Sequence, residues 1–168
     1  HYKGGVFSDR RKLEQVHFVL GFQGLDRFDP DYYAVQLLSA VLGGGMSSRL
    51  FQEVREKHGL AYAVYAFHSS YKDSGHFCVY AGTDPDKLHK AVDLVSEQVI
   101  LSAQDIRTDE LEKAKNQLKA ASLMGRESMM NRAEQQARHL IFYNKTLDIQ
   151  ERVQKINAVR TEDIERVS

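Results

Sequence analysis

Two apolar, aromatic stretches separated by a short turn most constrain what this chain can fold into. Residues 60–69 and 76–82 contain no proline, and the segment YKDSG at 71–75 holds residues favoured in hairpin turns. The pattern predicts two antiparallel strands that are adjacent in sequence. Residues 15–22 (QVHFVLGF) alternate between a strongly apolar face and a less apolar one, which predicts a further half-buried strand.

Helical patterns fill most of the remaining sequence. Asp29 is the predicted N-cap of a first helix, with Pro30 at its first position and an end near Val41. Thr108 and Thr161 are predicted N-caps of two later helices, since acidic residues follow each of them. The other predicted helices cover 47–57, 127–143 and about 147–159. One more predicted helix begins at residues 83–85.

The order of elements predicts the fold class. Strands come as antiparallel neighbours and helices cluster in sequence, which is typical of an α+β fold: a mainly antiparallel sheet with helices packed on one face. The length of 168 residues fits a single domain spanning 1–168. A final helix that starts at Thr161 has barely one turn before Ser168, so we expect the chain to be truncated at both ends.

Charge and cysteine usage exclude several classes of protein. The 23 basic and 23 acidic residues balance, whereas nucleic-acid-binding domains usually carry a basic excess. No apolar run approaches the length of a membrane span. Cys78 is the only cysteine, so no internal disulfide forms, and a reducing compartment fits. We expect a bacterial cytoplasm, with the mitochondrial matrix as the alternative.

The histidines give no metal-site motif. Seven are present, but none lies in H-x-x-E-H or H-E-x-x-H, the helical patterns that place two imidazoles and a carboxylate together. The prediction is therefore that this chain contains no metal site and no cofactor.

Gly43, Gly44 and Gly45 precede a predicted helix, and two interpretations are open. Free backbone N–H groups at a helix start attract anions or carbonyl oxygens. The alternative is a tight turn between helices that only glycine can make. A Walker loop is not supported, because no Gly-Lys-Ser/Thr follows.

Arg55 and Tyr62 lie on either side of Gly59, which is a predicted helix stop. A reversal there could bring a guanidinium and a phenol to the same end of the sheet. Two such donors can hold a peptide carbonyl or the oxyanion it becomes. The alternative is an ordinary surface arginine and an ordinary strand aromatic, and spacing alone favours that alternative.

The segment SSRLFQEVREKHGLAYAVYAF, with YKDSG and AGTDP after it, resembles the second half of zinc peptidases of the pitrilysin family, which includes mitochondrial processing peptidases and bacterial processing proteases. EQVHFVLGFQG resembles the opening strand of the family's C-terminal domain. Residues 108–140 and 156–167 resemble its helical part more loosely, so the resemblance covers nearly the whole chain.

The resemblance implies a function. In this family an N-terminal half binds zinc through H-x-x-E-H, and the C-terminal half contributes an Arg and a Tyr across a closed chamber. Those positions fall on Arg55 and Tyr62, and the family's substrate-binding glycine loop falls on residues 43–45. The implied role is the substrate-binding and transition-state-supporting half of a zinc metalloendopeptidase. Without the zinc motif, this chain alone is expected to be inactive.

The resemblance also implies partners: the zinc-binding half of the parent protein, extended peptide substrates, and a homo- or heterodimeric assembly. No nucleic acid or membrane partner is expected. Two alternatives remain open at this point. One is a non-catalytic structural core subunit of the same family, and the other is a stand-alone peptide-binding module.

Overall fold

A computed structural model describes residues 4–9, 13–146 and 148–168. Its sheet contains β1 (Val16–Gly24), β2 (Ala63–Ser70) and β3 (Gly75–Thr83) in the order β1-β3-β2, with both pairings antiparallel. The predicted hairpin is confirmed as β2 and β3, and the Tyr71 N–H closes its turn by donating to the Ser74 carbonyl at 2.8 Å.

The helices follow the predicted order. They are α1 (Tyr32–Gly43), a π-helix (Phe51–Lys57), a 3₁₀ turn (Pro85–Lys87), α2 (Leu88–Ser102), α3 (Thr108–Met124), α4 (Met129–Tyr143), α5 (Ile149–Ala158) and α6 (Thr161–Val167). The predicted start of α5 at Leu147 lies outside the described residues.

Three predicted N-caps are wrong by one or two positions. The N-cap of α1 is Asp31, because the Asp29 carboxylate accepts the Asp31 N–H at 2.8 Å and forms a turn that delays the helix. Arg107 and Arg160 precede the other two helices, and each donates its backbone N–H to the acidic side chain three residues later. The two threonines are thus the first helical residues.

The core lies between one face of the sheet and the helices. Along β3, Phe77, Val79, Ala81 and Thr83 point towards this core and are at most 7% exposed. From the helices, Leu37, Leu42, Leu50 and Val95 are fully buried against them. The predicted α+β architecture, with helices on one sheet face, is confirmed.

A bidentate ion pair connects the π-helix region to α3. Arg49 donates to the two Glu110 carboxylate oxygens at 2.9 and 2.6 Å, and both side chains are 12% exposed. Burial alone would raise the pKa of Glu110, but hydrogen bonds from the Arg49 side chain and the Arg107 backbone outweigh burial and lower the pKa. The pair therefore stabilises the fold wherever Glu110 is ionised.

Replacing Glu110 by glutamine should lower the free energy of unfolding at pH 7 by about 1–2 kcal/mol, because it leaves the Arg49 charge without its partner. A lowered folded-state pKa means that the contribution is complete above the unfolded pKa, about 4.3, and is lost as pH falls through the folded value. Urea unfolding at pH 7 and at pH 3 measures the difference.

Glu97→Gln on the exposed surface of α2 is the matched control, since it removes the same charge without a bonded partner among the described residues. It should unfold like wild type. An equal gap between wild type and Glu110→Gln at both pH values would contradict the ionic origin of the effect.

Candidate functional site

Arg55 lies on the π-helix and is exposed. Its guanidinium carbon sits 4.8 Å from the ring centroid of Phe51, one turn earlier, so a cation–π contact orients the side chain. Within the described part of the chain, no carboxylate pairs with Arg55. Its donors therefore face solvent, and they are free to bind an acceptor. Single-turn π-helices are rare and occur frequently at functional sites.

The chain reverses at Gly59, as predicted. Its φ of +56° is in the left-handed region that favours glycine, and nothing within 4 Å would crowd a side chain there. The Gly59 N–H donates to the Arg55 carbonyl at 3.1 Å, and the Leu60 N–H donates to the Val54 carbonyl at 2.8 Å. These bonds fix the path of the chain from the end of the π-helix to the start of β2.

Tyr62 comes directly before β2 and is 54% exposed. Its backbone N–H donates to the Gly82 carbonyl at 2.9 Å, which ties it to the end of β3. Its hydroxyl donates to the Asp84 carboxylate at 2.5 Å. That hydrogen bond raises the pKa of Tyr62 and lowers the pKa of Asp84, so the pair consists of a neutral phenol and an ionised carboxylate.

Lys87 links the two sides of the site. Its ammonium lies 3.2 Å from the Asp84 carboxylate and donates to the Gly59 carbonyl, also at 3.2 Å. Arg55 and Tyr62 therefore lie on either side of one turn. Lys87 stabilises this turn by binding both its Gly59 carbonyl and the neighbouring Asp84 carboxylate. Among the described residues the two side chains do not contact each other, because Arg55 stacks on Phe51 and Tyr62 bonds to Asp84.

The glycine loop has a packing role at its first position. Gly43 is buried at the end of α1, where a Cβ atom would lie 2.0 Å from the Ala66 backbone nitrogen of β2. The Gly44 carbonyl accepts from the Gln117 side chain. Gly45 is exposed, and its carbonyl accepts from Ser48. Tight packing thus explains the first glycine, and substrate binding by the loop stays a prediction.

Sequence reasoning missed Asp84 and an aromatic strip on the sheet face that the helices leave open. The Tyr65 and Tyr80 rings stack at 4.7 Å, and His17 Nδ1 is hydrogen-bonded to the Tyr80 hydroxyl at 2.7 Å. Phe67 lies 5.9 Å from Tyr65 along the same strand. The alternation of residues 63–69 could have revealed β2's share of this strip, but the pairing with β3 that completes it depends on register.

The described residues contain no group of three or more His, Cys, Asp or Glu side chains placed to hold a metal ion. The donor set around Arg55 and Tyr62 is mainly cationic and phenolic, so it does not fit zinc. No helix in the ranges that the structure describes is long and apolar enough to cross a bilayer.

The chain resembles curated proteins over most of its length. It is 37% identical over 156 residues to an uncharacterized zinc protease, YmxG, of Bacillus subtilis, covering 92% of this chain and 38% of that protein. It is 31% identical over 188 residues to a probable mitochondrial-processing peptidase subunit alpha of Schizosaccharomyces pombe, covering 100% of this chain and 38% of that protein. The chain thus spans about two-fifths of the length of these relatives.

A solved structure has the same fold. The crystal structure of a peptidase M16 inactive domain from Pseudomonas fluorescens matches with a TM-score of 0.78 and 30% identity, over 90% of this chain and 37% of that chain. The family model described as the peptidase M16 inactive domain matches residues 1–118. These matches confirm the resemblance to pitrilysin-type zinc peptidases, and the chain belongs to the peptidase M16 inactive-domain family.

Proposed function

We propose that this chain is the substrate-binding, C-terminal half of a zinc metalloendopeptidase and that Arg55 and Tyr62 support the transition state of peptide cleavage. One observation carries the proposal: two exposed hydrogen-bond donors flank a single fixed turn, and the guanidinium has no carboxylate partner among the described residues. A scissile carbonyl gains negative charge as it is attacked, and preorganised donors stabilise that charge.

Arg55 is suited to this role because its charge does not depend on pH and because Phe51 restricts its orientation. Tyr62 is held as a neutral donor by Asp84. To serve a substrate, its hydroxyl would exchange the Asp84 carboxylate for the carbonyl oxygen. Lys87 would then continue to neutralise Asp84, which lowers the cost of that exchange.

The open sheet face is the proposed surface for an extended peptide. The aromatic strip of Tyr65, Phe67, Tyr80 and His17 offers apolar contact area with polar edges. In the described sheet, β1 and β2 each pair with β3 on one side, so their outer edges are available for backbone hydrogen bonds. Gly45 is the exposed member of the loop formed by residues 43–45 that could also contact the peptide.

The proposed parent supplies the other half of the site. Relatives named zinc proteases are about two and a half times as long as this chain, so a zinc-binding half would occupy much of the remainder. When bound there, zinc would activate the attacking water. One relative is named as a subunit alpha, which supports assembly with a second subunit. We place the parent in a bacterial cytoplasm, with the mitochondrial matrix as the alternative.

Complementation tests this assignment. The 168-residue chain should not cleave a quenched fluorescent peptide of unfolded sequence, whereas mixing it with the separately expressed zinc-binding half should restore cleavage that a chelator abolishes. A mixture that forms a complex and binds zinc but cleaves nothing would support a structural core subunit instead. Peptide binding by the chain without any cleavage in the mixture would support a stand-alone binding module.

A further inference from the structure

A basic cavity opens among the helices, in the layer that covers the other face of the sheet. Its volume is about 440 Å³, and residues of α1, α3, α4 and α5 line it together with the loop before α1. This size is in the range of small-molecule sites, about 300–1,000 Å³. The cavity involves neither Arg55 nor Tyr62, so it is independent of the peptidase proposal.

Three residues that line this cavity each carry a buried polar atom without a hydrogen-bond partner. The structure has three buried side-chain nitrogen or oxygen atoms that lack a hydrogen bond among the described residues, and all three belong to cavity-lining residues: Arg27 Nε, Gln36 Oε1 and Arg152 Nε. Buried polar groups are almost always hydrogen-bonded, because leaving one unpaired destabilises the fold. These atoms are themselves shielded from solvent, so they mark polar packing beside the cavity rather than contacts with a bound molecule.

The Gln36 amide bonds to an aromatic residue beside the cavity. Its nitrogen donates to the Tyr32 hydroxyl at 2.8 Å, and that hydroxyl also accepts from Arg27 at 3.1 Å. These two hydrogen bonds restrain the Arg27 guanidinium at the wall of the cavity.

The charges of the lining residues favour an anionic ligand. Five arginines line the cavity against two acidic residues, Glu134 and Asp148, which leaves a net of three positive charges in a chain that is neutral overall. Arg138 is already paired with Glu134 at 2.5 Å. Neither Arg27 nor Arg152 has a carboxylate partner within the described residues, although aromatic rings at 5.2–6.0 Å partly compensate Arg27.

His139 also lines the cavity and lies close enough to both guanidiniums to be affected by their charges. Burial is the main cause that lowers the pKa of this histidine, and the charges of Arg27 and Arg152 lower it further, against an opposing effect of Glu151. The neutral form of the imidazole is thus favoured beside two cations that have no carboxylate partner among the described residues. Guanidinium groups bind carboxylates and phosphates through paired, charge-assisted hydrogen bonds.

We propose that this cavity binds a small molecule that carries two negative charges, on a phosphate or on two carboxylates, and that the Arg27 and Arg152 guanidiniums are the cations that attract it. Two cations favour a divalent anion over a monovalent one. The space left beside the anion would take the rest of the molecule, against the rings of Tyr33 and Tyr143.

Thermal unfolding of the 168-residue chain tests the site, with inorganic phosphate and succinate as the probes and sodium chloride at equal ionic strength as the reference. At ten times its Kd, the bound anion should raise Tm by about 3 °C or more, with saturation. Response to phosphate alone identifies a phosphate site, and response to succinate alone identifies a dicarboxylate site. If neither anion differs from chloride, the proposal is wrong.

Two variants separate binding from general charge effects. Arg152→Gln should lose the anion response and, without anion, should unfold at the same temperature as wild type or a higher one, since it removes a half-buried cation that has no carboxylate partner among the described residues. Arg138→Gln removes a cavity-lining charge that is already paired, and its Kd should stay within about threefold of wild type. An undiminished response in Arg152→Gln would overturn the assignment.

A measurement on the wild-type chain does not depend on the variants folding. The His139 ring resonances in an NMR titration should move saturably with the anion and at the Kd obtained from unfolding. If those resonances stay fixed while Tm rises, the anion binds elsewhere and the proposed site is wrong.

Discussion

Replacing Gly43 by alanine is expected to destabilise the fold by at least about 2 kcal/mol. The added Cβ would lie 2.0 Å from the Ala66 nitrogen and 2.7 Å from the Tyr65 carbonyl carbon, both of which are backbone atoms of β2. Alanine gains about 1 kcal/mol in helix propensity over glycine, but separating α1 from the sheet costs more than that. Urea unfolding followed by circular dichroism measures the change.

Gly45→Ala is the matched control, two residues further on in the same loop. There the nearest atom to the new Cβ is the Gln117 amide nitrogen at 3.4 Å, at the end of a flexible side chain. Its stability should stay within about 0.5 kcal/mol of wild type. Equal stability of the two variants would mean that the contact between α1 and β2 is not as tight as the structure has it.

Replacing Arg55 by alanine in the full-length parent is expected to reduce turnover of a peptide substrate by about 10²-fold. This is the usual loss when one donor to a developing oxyanion is removed. Because Arg55 is exposed and contacts mainly Phe51, the Tm should change little. The measurement is kcat and KM with a fluorogenic peptide, together with a thermal unfolding curve for each variant.

Three further variants interpret that result. Lys57→Ala, at an exposed cation on the same π-helix, should leave turnover within about twofold because its charge is already paired with Glu53 at 2.5 Å. Arg55→Lys keeps the charge but loses the planar fork, so it should recover only part of the activity. Tyr62→Phe should lower kcat in the same direction as Arg55→Ala. Turnover of Arg55→Ala within threefold of wild type would contradict the proposed role.

The sequence located the elements well and their first residues less well. Strand alternation and the turn residues at 71–75 identified β1, β2 and β3, because burial of one sheet face imposes a period of two on the chain. The helix starts were misplaced because Asp, Ser and Thr serve both as caps and as turn residues. At Asp29 the carboxylate forms a turn rather than a cap, and local sequence does not separate the two.

The sequence likewise predicted only part of the candidate site. The positions of Arg55, Gly59 and Tyr62 relative to one another followed from a helix, a stop and a strand within one short segment. Their immediate partners did not follow, because Asp84 and Lys87 reach the site only through the pairing of β2 with β3. The π-helix likewise did not follow from an amphipathic pattern that fits an ordinary helix equally well.

The sequence by itself predicted the fold class, since this depends on short-range patterns of apolar, glycine and turn residues. Its resemblance to the pitrilysin family indicated the family and selected Arg55 and Tyr62 as candidate donors. Only the tertiary structure decided that Gly43 packs against a strand backbone, that Asp84 holds the Tyr62 hydroxyl, and that Arg27 and Arg152 share one basic cavity. The physical reason is that these contacts join residues 22 to 125 positions apart. Contacts at such separation are fixed by how the layers pack, and no local propensity encodes them.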